Sequence, residues 1–124
     1  MEASMKKLVG ITLALFSFSA AADFVHPMDF DGSDAQKAEV IQFIKDTVRH
    51  DYCEKIDMCN DSTLRMMEQE NLNAFKKATK ATDRKIMDRV IQDYCNGMVD
   101  MCSYANIMMM YEENAKASKQ ELSW

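Results

Sequence analysis

The residues best suited to chemistry in this chain of 124 residues are its four cysteines and its methionines. Cys53 and Cys59 are the third and last residues of DYCEKIDMC, and Cys95 and Cys102 the third and last of DYCNGMVDMC. Thiols can serve redox exchange, zinc ligation or disulfide stapling. Redox pairs favour two intervening residues, which hold the sulfurs close and lower one pKa. Structural zinc sites favour knuckles of two to four residues. Here five and six residues intervene, so both activities are disfavoured and two disulfides are expected. Cys53–Cys59 with Cys95–Cys102 is the preferred pairing, each bond closing its own loop. Cys53–Cys102 with Cys59–Cys95 is the alternative if all four lie at one end of a bundle.

Ten methionines fall within residues 23–124, at 28, 58, 66, 67, 87, 98, 101, 108, 109 and 110. Thioethers bind Cu(I), and Met98, Met101 and Met108 are the best candidate ligand set, with Met58 nearby at the same end and His26 and Met28 in reserve. Methionine also fills irregular cores and forms adaptable binding faces. Met58, Met101, Met108 and Met109 are therefore expected to form an interaction surface. Consecutive helical side chains stand about 100° apart, so Met108, Met109 and Met110 cannot all face one ion and at least one should be exposed.

Other chemistry has little footing. The two histidines, His26 and His50, have no partner motif for nucleophilic catalysis, and no serine sits in an elbow signature. His50-Asp51 reads as a cation near a helix C-terminus beside a carboxylate. Glu68/Glu70 and Glu112/Glu113 read as solvated faces. No catalytic residue is assigned, no cofactor is expected (copper being the alternative), and the chain is not expected to be an enzyme.

The elements that must position these residues follow from patterning. Lys6 and Lys7 precede an apolar run from Leu8 to Phe18, and Ser19-Ala20-Ala21-Ala22 offers small residues for a signal peptidase. Residues 1–22 are read as a secretory signal peptide of bacterial type, cleaved near Ala22 and too short for a comfortable membrane span. No cysteine follows the apolar run, so no lipid anchor is expected. The destination is periplasmic or secreted, with no stable membrane anchor. Without Glu2, Lys6 and Lys7 the formal charge passes from −5 to −6. An acidic surface disfavours nucleic acid and anionic lipid as partners; the expected partner is a protein of the cell envelope.

One proline and two glycines beyond residue 22 are too little punctuation for a many-stranded fold. An all-α domain over 33–124 is predicted, preceded by an extended arm over 23–32 whose Phe24, Val25 and Phe30 can pack on it. Ser33 and Gln36 match a capping box for the first helix, with Val40, Ile41, Ile44, Val48 and Tyr52 at helical spacing. Asp61 or Ser62 should cap the second helix, Thr82 the third and Ser103 the fourth. Their inner stripes are Leu64, Met67, Phe75 and Ala78; Ile86, Val90 and Tyr94 flanked by Met87 and Ile91; and Ile107, Met110, Tyr111, Ala115 and Leu122. Gly97 suits a left-handed helix end.

The two halves also match each other, over about 33–80 and 82–122. Ile44 corresponds to Ile86, Val48 to Val90, Tyr52 to Tyr94, Leu64 to Ile107, and MMEQEN to MMYEEN. The offset is 42 before the loops and 43 after them. A compact four-helix domain of two tandem helix–loop–helix repeats, each loop stapled by a disulfide, is the predicted fold. Asn71 and Asn114 lie two turns past Leu64 and Ile107, so they are predicted as an interior polar pair that meets across the repeat interface and fixes its register.

Overall fold

The structure, a computed structural model, describes residues 22–124, and the predicted signal peptide lies, up to Ala21, outside the described residues. The fold among these residues is all-helical. A 3-10 turn at Pro27–Asp29 is followed by α1 (Asp34–Arg49), which runs on into a π-helical turn at His50–Glu54. Then come α2 (Asp61–Ala78), α3 (Arg84–Cys95) and α4 (Tyr104–Ala117). Both disulfides are the local ones, Cys53–Cys59 and Cys95–Cys102, so each hairpin carries its own clasp.

Capping explains most boundaries. The Ser33 hydroxyl accepts from the Gln36 amide at 3.1 Å as expected. The return half of the box differs, because the Gln36 side chain accepts from Asp31 and the Asp31 carboxylate takes the Ser33 amide. The caps of α2 and α3 sit one residue from the predicted ones. Asn60 rather than Asp61 accepts from Thr63, and Asp83 rather than Thr82 accepts from Ile86. Ser103 caps α4. Gly32, with φ of 77°, makes the left-handed turn from the arm into α1. Gly97 is not left-handed; a Cβ there would stand 2.7 Å from the Asp93 carbonyl oxygen, so its role is to let backbone approach backbone.

Each hairpin pairs its own helices, α1 with α2 and α3 with α4, and the hairpins join mainly through α2 against α4. The core draws Val40, Ile44 and Val48 from α1, Leu64, Phe75 and Ala78 from α2, Met87, Val90 and Ile91 from α3, and Ile107, Met108 and Tyr111 from α4. Ile41 turns outward, and Leu122 and Trp124 lie fully exposed beyond the end of α4. On α3 the flanking Met87 and Ile91 take the buried positions, while Ile86 is only half-buried. The arm is fastened as predicted. Val25 is buried, Phe24 stacks on Tyr104 at 5.3 Å, and Phe30 meets Phe75 edge-on at 5.1 Å.

The hairpins are not related by a simple two-fold. Asn71 accepts from the Ala105 amide at 2.9 Å, and Lys77 pairs with Glu112 at 2.7 Å. By the repeat offset, the counterparts of Asn71 and Lys77 are Asn114 and Gln120, nine and eight residues beyond those contacts. One hairpin is therefore displaced along the other by about 13 Å, at roughly 1.5 Å per residue. The predicted asparagine pair fails for this reason. Asn71 is buried and Asn114 exposed, and each donates to its own carbonyl four residues back, Met67 or Met110. Asn71 instead adds a second cap to α4, whose first amides have no partner within their own helix.

Displacement also gives the two hairpins unlike outer faces. Phe43 and Phe75 of the first are covered by Tyr104, at 5.4 and 4.8 Å. The equivalent positions in the second hairpin are Lys85 and Ser118, which line an open polar depression with Arg89 and Asn114.

Candidate interaction site at the clasp end

The site is built from the ends of α1 and α3. At the end of α1 the backbone widens to i→i+5 bonding, with the Lys55 amide donating to the His50 carbonyl at 3.0 Å. Such π turns recur at functional positions because they re-aim side chains without ending the helix. Here the turn aims His50 away from its sequence neighbour Asp51 and towards the other clasp.

His50 places Nδ1 at 2.9 Å from Glu54 and Nε2 at 3.0 Å from Asp100. Two carboxylate partners require both ring nitrogens to donate, which is the imidazolium form. The Asp100 and Glu54 carboxylates accordingly raise the His50 pKa above its usual value, and the His50 bond holds Asp100 below its own. Lys55 adds a bond to the Asp100 backbone carbonyl at 2.9 Å and lies 3.6 Å from its carboxylate. Asp51 faces Lys55 at 3.7 Å, and burial pushes its pKa up. Asp100 is thus the bridge from the second clasp to His50, fifty residues earlier, and to Lys55 in the first clasp.

Around this bridge the loops are apolar and open. Of ten exposed large hydrophobic residues among the described residues, five lie between paired cysteines: Ile56 and Met58 in the first clasp, Met98, Val99 and Met101 in the second. That concentration in eleven loop residues contrasts with the scattered single exposures usual on soluble surfaces. Carboxylates rim it, with exposed Glu54, Asp57 and Asp61 from one loop and Asp93 and Asp100 from the other.

The predicted surface residues divide. Met58 and Met101 stand exposed on the clasps, and Met109 is exposed on α4. Met108 does not belong to the surface. It lies on the inner side of α4 and is 7 % exposed, because the helix turns the triplet so that Met109 takes the solvent side. The candidate copper set Met98, Met101 and Met108 is divided in the same way, with Met98 fully in solvent and Met108 in the core. Met58, Met98 and Met101 are the thioethers that the clasp end presents to solvent. Among the described residues no three His, Cys, Asp or Glu side chains converge to hold a metal ion, and no helix is long and apolar enough to cross a membrane.

Ile56, Val99 and the Asp100 bridge carried no signal of their own in the sequence. The repeated Asp-Met-Cys did place Asp57 beside Met58 and Asp100 beside Met101, but a contact across fifty residues has no local periodicity to reveal it. No protein-family model matches the chain, and comparison with curated proteins and with solved structures finds no significant similarity.

Proposed function

We propose that this protein is a non-catalytic binding module of an exported compartment, which captures an envelope protein through the clasp end. The observation that carries the reading is the concentration of Ile56, Met58, Met98, Val99 and Met101 on two adjoining disulfide-closed loops. Closing a loop covalently lowers the entropy lost when an apolar loop docks, which is how preorganisation gains affinity. Flexible thioethers adapt to the partner's shape, and the acidic rim selects for basic charge around it. The fitting partner is an apolar segment flanked by lysine or arginine.

Export is supported by the leader, by two disulfides and by the arm. Phe24, just past the proposed cleavage site at Ala22, packs on Phe43 and Tyr104, so the chain left after cleavage keeps this anchor. N-terminal sequencing of the protein from a periplasmic fraction should begin at Asp23.

Photo-crosslinking in the exporting cell tests the binding reading. A photoreactive residue at Met58, Met98 or Met101 should give one discrete adduct that is absent when the probe replaces exposed Lys80 near the far end of α2. Adducts of equal yield at Lys80, or none at the clasps, would sink it. Exposure of the same three thioethers favours Cu(I) binding as the second reading. Competition against a colorimetric Cu(I) chelator with the disulfides intact decides that, and loss of competition in a Met58→Leu/Met98→Leu/Met101→Leu variant would assign it to the clasps.

A further inference from the structure

A second recess lies on the flank of the first hairpin, away from the clasps, and has a different chemistry. It is a cleft of about 390 Å³ between α1 and α2, at the small end of the roughly 300–1,000 Å³ typical of ligand sites. Its floor is Phe30, Val40 and Phe75, and its walls are Ile41 and Leu72. Phe30 comes from the arm and is held edge-on to Phe75, so this part of the floor exists only while the arm is docked. A neighbouring recess between the same helices shares Ile41 and Leu72 and adds Ile44, but is bounded by Lys45, Arg65, Glu68 and Gln69. The mainly apolar groove along the seam is therefore the first of the two.

The only charged residues lining the cleft are Lys37 and Lys76. In a chain with 20 acidic against 15 basic residues, an apolar cleft with cations and no carboxylate runs against composition. Neither lysine has a carboxylate within 4.0 Å among the described residues. Lys37 lies one turn before Ile41 on α1 and Lys76 one turn after Leu72 on α2. The helices are antiparallel neighbours, so both ammonium groups belong to the same end of the groove. Lys37 also occupies the first turn of its helix, where the macrodipole favours an acidic residue and disfavours a cation. Its position is unfavourable for the helix and favourable for an anion. The remaining lining residue, Thr79, directs its hydroxyl to the Lys76 carbonyl at 2.7 Å.

We infer that the α1–α2 groove binds a single-chain anionic amphiphile of the fatty-acid class. The carboxylate sits between Lys37 and Lys76, and the alkyl chain lies in the cleft over Val40, Ile41 and Leu72. The size of the cleft suits one chain rather than a two-chain lipid. The groove lies outside the clasp end, so this assignment does not depend on how the clasps function.

Calorimetric titration with dodecanoate, kept below its micellar concentration, tests the assignment on the full mature chain. Wild type should bind dodecanoate but neither acetate nor dodecyltrimethylammonium. Lys37→Glu/Lys76→Glu should weaken binding about tenfold or more, from two lost charge contacts. The Lys37 change improves the dipole of α1, whereas the Lys76 change opposes that of α2, so a retained melting temperature is the check that unfolding does not mimic the loss. Ile41→Glu, at a position already 39 % exposed, should abolish binding, whereas Met58→Glu/Met101→Glu should leave it unchanged. The inference falls if dodecanoate fails to bind, if the double lysine variant binds equally well, or if the cationic amphiphile binds as tightly. It falls also if the protein sediments with phosphatidylglycerol vesicles while ignoring monomeric dodecanoate, which would make the face a membrane contact.

Discussion

The Tyr104 hydroxyl donates to the Val25 carbonyl at 2.8 Å and accepts from the Val25 amide at 3.1 Å, across 79 residues. One side chain satisfies both backbone groups of a buried residue in the arm. Burial lifts its pKa far above the usual phenol range, so the hydroxyl stays neutral and available for both bonds. Tyr104→Phe should leave the Val25 amide and carbonyl buried without partners, at a cost of about 1–3 kcal/mol. Denaturant unfolding measures the cost, and limited proteolysis should show faster cleavage within residues 23–32.

The asparagines should respond unequally despite their matching places in the repeat. Asn71→Leu removes the acceptor for the half-buried Ala105 amide and should cost about 1–3 kcal/mol. Asn114→Leu changes an exposed side chain and should fall within roughly 0.5 kcal/mol of wild type. Equal effects in chemical denaturation would contradict the displaced packing.

Opening either clasp should destabilise the fold by about 2–3 kcal/mol in the chain-entropy account of short loops. Cys53→Ser/Cys59→Ser and Cys95→Ser/Cys102→Ser, compared with wild type by thermal melting, report the two separately. Mass-spectrometric mapping of the native protein should show no free thiol.

The His50–Asp100 bridge has a definite pH window. His50 has a folded pKa raised above its ordinary 6.5. Its contribution is therefore fully present below that value and is lost as pH rises through the folded pKa. Asp100 has a folded pKa below 3.8, so its contribution is present above 3.8 and is lost as pH falls through the lowered value. The stability gap between wild type and His50→Gln should be widest between the two ordinary pKa values and shrink towards alkaline pH. Urea titrations at several pH values check the sign.

Gly97→Ala should destabilise the second clasp although its φ is not left-handed, because the new Cβ would stand 2.7 Å from the Asp93 carbonyl oxygen. A backbone oxygen cannot turn aside, so a cost of about 1–3 kcal/mol is expected from overpacking. Thermal melting of the variant measures it.

Short-range features of this fold were legible in the sequence. The clasps are local, the caps come from residues within one position of those expected, and the helical stripes follow a period of 3.6. Relations between the hairpins were not legible. Internal likeness suggested that equal residues meet, yet two like units can pack in any register, and here Asn71 meets Ala105 instead of Asn114. The sign of this was a break in the likeness: Tyr104 stands where the first repeat has Asp61, and Lys85 where it has Phe43. Met108 was misplaced because a triplet of identical side chains contains no information about helical phase. Ile41 and Ile86 were assigned inward for a related reason, since a wide apolar stripe overhangs the core on one side.

The displacement between hairpins has a directional consequence. A contact that joins the back of one unit to the front of the next is heterologous, and such contacts, repeated with a translation along the axis, grow without closing. This chain takes one such step and halts, because the position that should receive the next aromatic plug holds Lys85 and Ser118, and the plug on the leading unit is Asp61. Phenylalanine at 85 and 118 with tyrosine at 61 would give the chain two matching apolar ends. Lys85, Ser118 and Asp61 instead leave both ends of this two-step ladder polar.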